Sequence, residues 1–403
     1  MKRGIAILLL AGLMLTACQK QEEQVSDIPV TEAASYKEIA PSVTDLGFRW
    51  IKQKGCRTQL DSGQNVMVSP LSLYADLAMA MNGAEGDTLA EALDVMGAED
   101  VSQMSAISLY GGLKTVKISN SIWVNESYGV LDPDFVGRIH SFRAEAASRA
   151  FNEKTCKEIN QWVEKSTNGM IKELLKELDP NEVMHLLNAV CFEGTWNVPY
   201  EDYAIDEEAI FTNCAGVEQT ITGLNSWDDG RYFSLLGADC LVKDYADDGL
   251  AFVAMLPPEG TSPMELLDQV DGQQFTEALT SAYVPDSLVS MIPEFKFDCT
   301  IDVGQDLQDL GMKSAFEKAE FTKILKSGDA LAISAITQKT HIELDRRGTK
   351  AAAVTDIVLT EGVAEIEEQD VKEVILDRPF AFAIVDLESG IPLFLGIVQT
   401  IGE

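Results

Sequence analysis

The feature that most constrains this fold is an almost unbroken apolar run near the middle of the chain, Val183 to Phe192. A run of this length without a regular polar position indicates a central β-strand that is buried on both faces. The chain has 403 residues, of which 46% are hydrophobic, so it can supply one or two large cores around such a strand.

Two stretches before this run predict a strand and helices. Asn65 to Leu73 reads as a short strand followed by a helix, with Ser69 at the N-cap and Pro70 in the first turn, where the missing N–H costs nothing. Ser35 to Lys54 has the apolar stripe of a helix.

Two further stretches complete the coarse pattern. Thr115 to Val124 alternates between apolar and polar residues and predicts a sheet strand. Asn152 to Leu178 predicts two amphipathic helices, separated by Thr167-Asn168-Gly169.

A late stretch, Lys339 to Thr355, combines a strand pattern with a run of small residues. Thr340 to Leu344 alternates as a strand, and the residues up to Gly348 read as a turn. With a period of two, the following residues sort into a small face (Thr349, Ala351, Ala353) and a second face that carries the charges (Lys350, Ala352, Val354, Asp356). Such a strand can enter a closed sheet without bulky side chains, although the stretch alone leaves open an exposed loop or a short helix.

The N-terminus reads as a processing signal. Lys2 and Arg3 precede the apolar run Ile5 to Leu15, which is too short to span a bilayer. The run ends in Leu15-Thr16-Ala17-Cys18, which resembles the lipobox of bacterial lipoproteins, and an ordinary secretory signal is the alternative. We therefore expect a signal peptide over residues 1–17, lipidation of Cys18, and a flexible tether over residues 18–34.

The formal net charge of −34 argues against nucleic acid, heparin-like polyanions or an anionic membrane surface as partners. No pair of cysteines has CxxC spacing, so a zinc ribbon or redox motif is not expected. We expect most of the cysteines that follow the signal to be buried apolar side chains, and the sequence assigns no disulfide pairs.

No enzyme motif is present. The chain has three histidines and lacks GxSxG, Walker, GxGxxG and HExxH patterns. We expect His185 to be an interior group of the central strand and His341 to belong to an alternating strand. Asp244 to Gly249 lacks the ligand spacing of a calcium loop and predicts a hairpin turn. The chain is therefore expected not to be an enzyme and to need no metal or cofactor.

Five sequence blocks, in chain order, resemble the serpin family. In that family the hinge of the reactive-centre loop reads close to E-E-G-T-E-A-A-A-x-T, of which this chain keeps Gly348, Thr349 and the three alanines. The other blocks are NVMVSPLSL at Asn65 to Leu73, N-A-x-x-F-x-G-x-W at Asn188 to Trp196, VSMIPEFKF at Val289 to Phe297, and LGMKSAF at Leu310 to Phe316 with Glu320-Phe321-Thr322.

The resemblance implies an α+β serpin fold with three β-sheets, eight to nine helices and an exposed reactive-centre loop. It implies a single serpin domain over residues 35–403, with the loop at about residues 346–376. The implied function is inhibition of serine-type, and also cysteine, endopeptidases by suicide-substrate trapping, in which the cleaved loop inserts into the central sheet. The alternative is a non-inhibitory serpin that acts as a binding or structural module.

The resemblance also implies the residues that control loop insertion. The implied hinge comprises Arg346, Arg347, Gly348, Thr349, Lys350, Ala351, Ala352 and Ala353. The implied shutter and breach residues, which lie where the sheet parts, are Ser69, Pro70, Ser72, Asn188, Trp196, Gln338 and Glu294.

Three departures from the family pattern stand out. Basic residues replace the hinge acids, and the family's lysine after the proline is Glu294, so we expect a Glu294–Arg346 pair with reversed signs. The family's shutter histidine is Gln338, which we expect to bond Ser69, Ser72 or Asn188 as an amide that does not titrate.

Counting from Gly348 places the reactive bond at Gly362–Val363, with Glu361 and Thr360 as alternatives because the loop is longer than usual. These small residues predict an elastase-like or subtilisin-like target protease. We expect a monomer, attached through lipidated Cys18 to the outer membrane of the bacterial cell envelope, on its periplasmic or surface face.

Overall fold

The computed structural model describes residues 35–110, 115–246, 249–349 and 369–402. Within these ranges the chain forms three larger β-sheets, one two-stranded sheet and eleven α-helical segments, two of which have five residues or fewer. The α+β class expected from the sequence is confirmed. The helices are α1 (Tyr36–Trp50), α2 (Lys54–Asp61), α3 (Pro70–Met81), α4 (Gly86–Met96), α5 (Val101–Ser105), α6 (Pro133–Ile139), α7 (Glu153–Ser166), α8 (Pro263–Gln269), α9 (Gly272–Thr280), α10 (Gly304–Leu310) and α11 (Ser314–Glu317).

The strands of the described residues number seventeen. They are β1 (Val66–Val68), β2 (Val116–Asn125), β3 (Glu145–Arg149), β4 (Met184–Phe192), β5 (Gly194–Thr195), β6 (Ile205–Thr212), β7 (Glu218–Trp227), β8 (Arg231–Leu235), β9 (Ala238–Asp244), β10 (Leu250–Leu256), β11 (Ser287–Pro293), β12 (Phe295–Asp302), β13 (Ala335–Leu344), β14 (Gly348–Thr349), β15 (Val371–Ile375), β16 (Phe380–Asp386) and β17 (Pro392–Val398).

The five-stranded sheet, called the central sheet below, has the order β12-β13-β4-β2-β3. Strand β4 is the predicted apolar run, and all nine of its residues are buried. Leu187, Ala189 and Cys191 pack into a small cluster under α7, whereas Leu186 and Val190 join the main core. The prediction of a strand buried on both faces is confirmed.

The other sheets surround the main core. The six-stranded antiparallel sheet has the order β1-β17-β16-β10-β9-β8, and α3 packs between it and the central sheet, against β17, β4 and β2. The four-stranded sheet has the order β15-β11-β7-β6, and β14 pairs with β5. Strands β9 and β10 pair antiparallel on either side of the turn predicted at Asp244 to Gly249, of which residues 247 and 248 lie outside the described residues.

Two helix predictions need correction. The helix expected over Ser35 to Lys54 is α1, capped by the Ser35 hydroxyl, and a second helix begins at Lys54 after a turn. The second amphipathic helix expected before Leu178 is irregular chain. The Asn160 amide bonds the backbone of Leu174 and Leu175, which diverts the N–H and C=O groups that a helix would use.

The six cysteines of the described residues are all thiols. Five are buried, as expected for small apolar side chains, and Cys214 is exposed. None of the described helices is long and apolar enough to cross a membrane.

Candidate functional site

The chain leaves the central sheet through a tight turn, called the hinge segment here (residues 345–349). Strand β13 ends at Leu344. The backbone groups of Asp345 and Gly348 then bond each other in both directions, at 2.8 and 3.1 Å, and the Arg347 N–H donates to the Asp345 carboxylate at 2.7 Å. Gly348 and Thr349 pair with β5, so the hinge segment is anchored on both sides of its turn.

Gly348 is required by close backbone approach. Its φ of +136° lies in the region that favours glycine. A Cβ on this residue would lie 2.2 Å from the carbonyl oxygen of Gly194 and 2.6 Å from the Cα of Thr195. These are backbone atoms of β5, which cannot move without breaking the pairing that holds the hinge segment.

Trp196 anchors the hinge segment through two hydrogen bonds. Its indole Nε1 donates to the carbonyl of Asp345 and its backbone N–H donates to the carbonyl of Arg347, both at 3.0 Å. Its ring stacks on Tyr245 with centroids 4.6 Å apart, and the Tyr245 hydroxyl lies 3.2 Å from the hydroxyl of Thr349. This buried aromatic contact therefore reaches the last described residue before the small-residue run.

A buried lysine lies among the same rings. The Lys243 ammonium lies 4.6 Å from the ring centre of Tyr200 and 5.5 Å from that of Trp196, and it forms an ion pair with Asp229. Burial lowers the pKa of Lys243, and the neighbouring carboxylate of Asp229 opposes this shift. The Tyr200 N–H donates to the Arg346 carbonyl at 3.0 Å. We call Trp196, Tyr200, Tyr245 and Lys243 the aromatic cage.

The expected Glu294–Arg346 side-chain pair is wrong in its geometry. The Arg346 guanidinium pairs with Asp202 at 2.6 Å, with the Arg346 side chain 42% exposed and that of Asp202 87% exposed. Glu294 instead accepts a hydrogen bond from the backbone N–H of Arg346 at 3.0 Å. Burial raises the pKa of Glu294, and this backbone hydrogen bond opposes the rise. The carboxylate thus binds the hinge backbone, while the arginine side chain turns towards solvent.

The shutter residues form a buried hydrogen-bond network under the sheet. Gln338 on β13 accepts from the Ser69 N–H at 2.7 Å, and its amide nitrogen donates to the Ser69 carbonyl at 3.1 Å and to Asn188 at 2.8 Å. The Ser69 hydroxyl donates to the carbonyl of Leu393 on β17. Ser69 is also the N-cap of α3, with Pro70 at its first position. The amide of Gln338 thus ties β13 to β4 and to the start of α3.

Asn120 completes this network and was not predicted. It lies opposite Asn188 on β2, and Gln338 lies opposite Asn188 on β13. The Asn188 amide donates to the side-chain oxygens of Asn120 and of Ser72. Asn120, Asn188 and Gln338 therefore form a row of three amides across three neighbouring strands, called the amide row below.

The amide row crosses the boundary between β4 and β13, called the seam here. These two strands pair directly and in parallel, from Ala335 opposite His185 to His341 opposite Cys191. All other pairings in the central sheet are antiparallel except that of β2 with the edge strand β3. The hinge segment follows one end of this seam.

The histidines do not form a hydrolase site. His341 Nδ1 lies 2.6 Å from Asp298, which lowers the pKa of that carboxyl, and His185 Nε2 lies 2.8 Å from Glu182. Both rings are buried, which was expected for His185, but the Nδ1 atom of His185 has no hydrogen-bond partner within the described residues. His140 is exposed.

Several predicted site residues lie outside the described residues. These are Cys18, Lys350, Ala351, Ala352, Ala353, Thr360, Glu361, Gly362 and Val363. The lipidation site, the outer half of the hinge and the reactive bond therefore stay predictions.

The sequence reasoning missed six residues of this site: Asn120, Tyr200, Asp202, Asp229, Lys243 and Tyr245. Of these, only Asn120 left a signal in the sequence, because Ser119-Asn120-Ser121 places three polar residues inside a predicted strand. All three are buried in the structure. Lys243 pairs with an acid 14 residues away across a hairpin, and no local pattern indicates such a contact.

Comparison with known proteins agrees with this geometry. The family model described as Serpin (serine protease inhibitor) matches residues 41–401. A serpin-like protein of Thermococcus kodakarensis is 28% identical over 401 aligned residues, covering 93% of this chain and 89% of that protein.

Solved structures share the fold. The thermophilic serpin tengpin in its native state is 32% identical with a TM-score of 0.79, covering 90% of this chain and 94% of that one. Human thyroxine-binding globulin complexed with its hormone is 22% identical with a TM-score of 0.78, covering 91% and 99%, which shows the fold alone. A family match over almost the whole described body, with the fold that goes with it, shows that this chain belongs to the serpin family.

Proposed function

We propose that this serpin is a suicide-substrate inhibitor of serine endopeptidases, with papain-like cysteine endopeptidases as a second target class. In this proposal the protease nucleophile attacks the carbonyl carbon of Gly362. The Gly362–Val363 peptide bond breaks, Val363 leaves as a new amino terminus, and an ester or thioester joins Gly362 to the protease. Insertion of the freed segment into the central sheet then outruns hydrolysis of that bond by water.

The observation that carries this proposal is the parallel seam beside the hinge segment. A segment that folds back from Thr349 and runs between β13 and β4 would be antiparallel to both strands, because those two strands are parallel to each other. One parallel pairing would be replaced by two antiparallel pairings, which are slightly more stable per residue and add a full set of backbone hydrogen bonds.

The length and side chains of the segment fit the seam. The 14 residues from Thr349 to Gly362 reach roughly 45 Å when extended, whereas the nine residues of β4 span roughly 30 Å. Thr349 is already buried against the aromatic cage. The same face continues with Ala351 and Ala353 and then with Thr355, Ile357 and Leu359, so the inserted strand would present small and then apolar side chains to the core.

The target is inferred from the residues around the proposed bond. Thr360, Gly362, Val363 and Ala364 are small, which favours elastase-like and subtilisin-like enzymes. Cleavage after Glu361 by a glutamate-specific protease is the alternative.

The experiment incubates residues 19–403 with a panel of such proteases and separates the products on a denaturing gel. We expect a stable band near the sum of the two masses, and mass spectrometry of the released C-terminal peptide identifies the bond. Clean cleavage by the whole panel without such a band would contradict inhibition.

A matched pair of variants separates insertion from cleavage. Ala351→Glu places a charge on the inserted face, whereas Ala352→Glu places it on the other face. We expect Ala351→Glu to be cleaved without trapping the protease, and Ala352→Glu to trap it as the wild type does. Equal behaviour of the two variants would contradict insertion with this face inward.

The alternative is a non-inhibitory serpin that acts as a binding or structural module. The observation in its favour is the basic hinge, in which Arg346 forms an ion pair with Asp202 that must break or move if the hinge segment straightens. Because both partners are exposed, this pair is expected to stabilise the hinge by less than about 1 kcal/mol, too little to prevent insertion.

The proposal includes attachment of the protein to a bacterial membrane through lipidated Cys18. The sequence LTAC after a short apolar run supports it. Expression of the full chain and of Cys18→Ser in a bacterium, followed by detergent phase partitioning, tests it. We expect only the wild type to enter the detergent phase, and equal partitioning would contradict lipidation.

A further inference from the structure

An exposed apolar patch starts at the β15 edge of the four-stranded sheet and crosses β11 to reach β7. Trp227, at the end of β7, is 55% exposed, and Val371, at the start of β15, is 56% exposed. Tyr283, just before β11, is 43% exposed. Together with the partly exposed Val289 of β11, these residues are called the edge patch below.

The strand register makes the edge patch continuous. Val289 lies opposite Trp227 on one side and opposite Glu373 on the other, and Ser287 lies opposite Val371. Because side chains two residues apart share a face of a strand, all of these positions lie on the same face of the sheet. The Tyr283 hydroxyl donates to Asp370, the residue before Val371, at 2.8 Å.

The packing of the four-stranded sheet does not depend on the edge patch. The alternate positions Leu224, Leu288 and Val374 are buried and supply the packing of the sheet. An exposed tryptophan beside two exposed apolar side chains instead indicates an interaction surface, since soluble proteins rarely expose contiguous apolar groups without a partner.

The rim of the edge patch is acidic. Asp228, Asp286 and Glu373 are exposed around it. The nearby Lys372 is engaged, since it forms an ion pair with Asp370 and its ammonium lies 5.1 Å from the ring centre of Tyr232. A complementary partner therefore has an apolar centre with a basic rim.

The position of the reactive bond identifies the partner. The described chain resumes at Gln369, and the proposed bond Gly362–Val363 lies eight residues before Val371. Eight residues span at most about 29 Å, whereas a protease of about 220 residues is on the order of 40 Å across. A protease bound at that bond thus lies within reach of the edge patch.

We propose that the edge patch is a second docking site for the target protease, one whose surface beside the catalytic cleft is apolar with a basic rim. The inference rests on the proposed cleavage of the loop and adds a determinant of protease choice outside it. Trp227 fills the role of an anchor, because large aromatic side chains dominate the binding energy of protein interfaces.

The experiment measures the second-order rate constant for loop cleavage by each protease that cuts the wild type. We expect Trp227→Ala to lower this constant about tenfold for at least one protease. Val371→Asp is a second variant, which is used if the first lowers the thermal midpoint. Tyr128→Ala is the control, because Tyr128 is also an exposed aromatic residue, at 43%, but follows the far end of β2. This control variant is expected to be cleaved at the wild-type rate within a factor of two.

Charge gives an independent readout. We expect Glu373→Gln to lower the rate constant at low salt and to have little effect at about 0.5 M salt, where exposed charges are screened. If the wild type is cleaved without trapping the protease and Trp227→Ala is still cleaved more slowly, the result supports the docking site and contradicts the inhibitory mechanism.

Two outcomes overturn the inference alone. In the first, the wild type traps a protease, but every protease of the panel cleaves Trp227→Ala with a rate constant within a factor of two of the wild-type value. The second is a change in the sedimentation coefficient of the free protein in Trp227→Ala without a change in cleavage, which would assign the patch to a second copy of the chain.

Discussion

At the scale of single residues, the hinge segment depends on one glycine. Gly348 combines a positive φ with direct contact to the backbone of β5. Its neighbours reach the same strand through hydrogen bonds that any residue could make, such as the Arg347 carbonyl with the Trp196 N–H. The choice of residue at position 348 is therefore constrained far more tightly than at positions 346 and 347, where this chain departs from the family pattern.

We expect Gly348→Ala to lower the stability by about 3 kcal/mol or more, because it adds both backbone strain and a clash with the carbonyl of Gly194. The urea midpoint measures this. Gly63→Ala is the matched control, since Gly63 has a φ of +81° but nothing within 4 Å of an added Cβ. The control should lose only about 1 kcal/mol, and equal losses would show that strain alone matters.

Glu294 gives a pH-dependent prediction. Its pKa is raised by burial, so the folded protein binds a proton there more tightly than the unfolded chain does. The stability contributed by the protonated form is complete below the unfolded pKa of about 4.3 and is lost as the pH rises through the higher folded pKa. Glu294→Gln keeps an oxygen acceptor for the Arg346 N–H without the charge, and its stability relative to wild type should therefore increase from pH 4 to pH 7.

Glu294→Ala is the control for the hydrogen bond itself. It removes the acceptor, so it should be less stable than Glu294→Gln by about 1 kcal/mol at both pH values. A stability of Glu294→Gln that falls relative to wild type as the pH rises would contradict the assignment.

At the scale of elements, the amide row links the two strands that must separate for insertion. The bond from Gln338 to Asn188 crosses the seam, while the bond from Asn188 to Asn120 crosses the β4–β2 boundary. The three side chains are buried, so loss of one removes a hydrogen bond from its partners in the core.

We expect Gln338→Leu to destabilise the protein by about 2–4 kcal/mol and to speed uptake of a labelled peptide of residues 349–362 into the sheet. Asn120→Ala removes a bond of the same kind at the other boundary. It should destabilise the protein without speeding uptake, as measured by fluorescence anisotropy. Equal uptake by the two variants would show that the row does not control the seam.

The sequence predicted the elements whose signal is local. The buried run of β4, the Ser69-Pro70 start of α3 and the turn at Gly348 each follow from residues next to one another. The prediction of a second helix before Leu178 was wrong because the Asn160 side chain bonds the backbone of this stretch. The predicted partner of Arg346 was wrong because Asp202 is brought near only by the fold. Apart from Trp196, the aromatic cage was missed for the same reason, since it joins the segment after β5 to β9 and to the residue that follows β9.

At the scale of the whole molecule, the central sheet is one strand short of what the proposal requires after cleavage. We expect cleavage of the loop to raise the thermal midpoint by roughly 10–15 °C, because a new strand would add on the order of 10 kcal/mol of backbone pairing and the unfolding entropy of a domain of this size is about 0.8 kcal/mol per kelvin. Circular dichroism before and after digestion measures this shift. The cleaved Ala351→Glu variant is the control and should show little increase, while an unchanged wild-type midpoint would contradict insertion.

The packing of β4 gives the seam a chemical reporter. Cys191 lies directly opposite His341 across the seam and is fully buried under α7, whereas Cys214 is exposed on a turn remote from it in the fold. A thiol reagent should modify Cys214 at once, and Cys191 only when the cover of α7 over β4 opens, since access needs local opening. The slow labelling of Cys191, followed by mass spectrometry, would thus time the opening of this cover beside the seam without a protease and without an engineered probe.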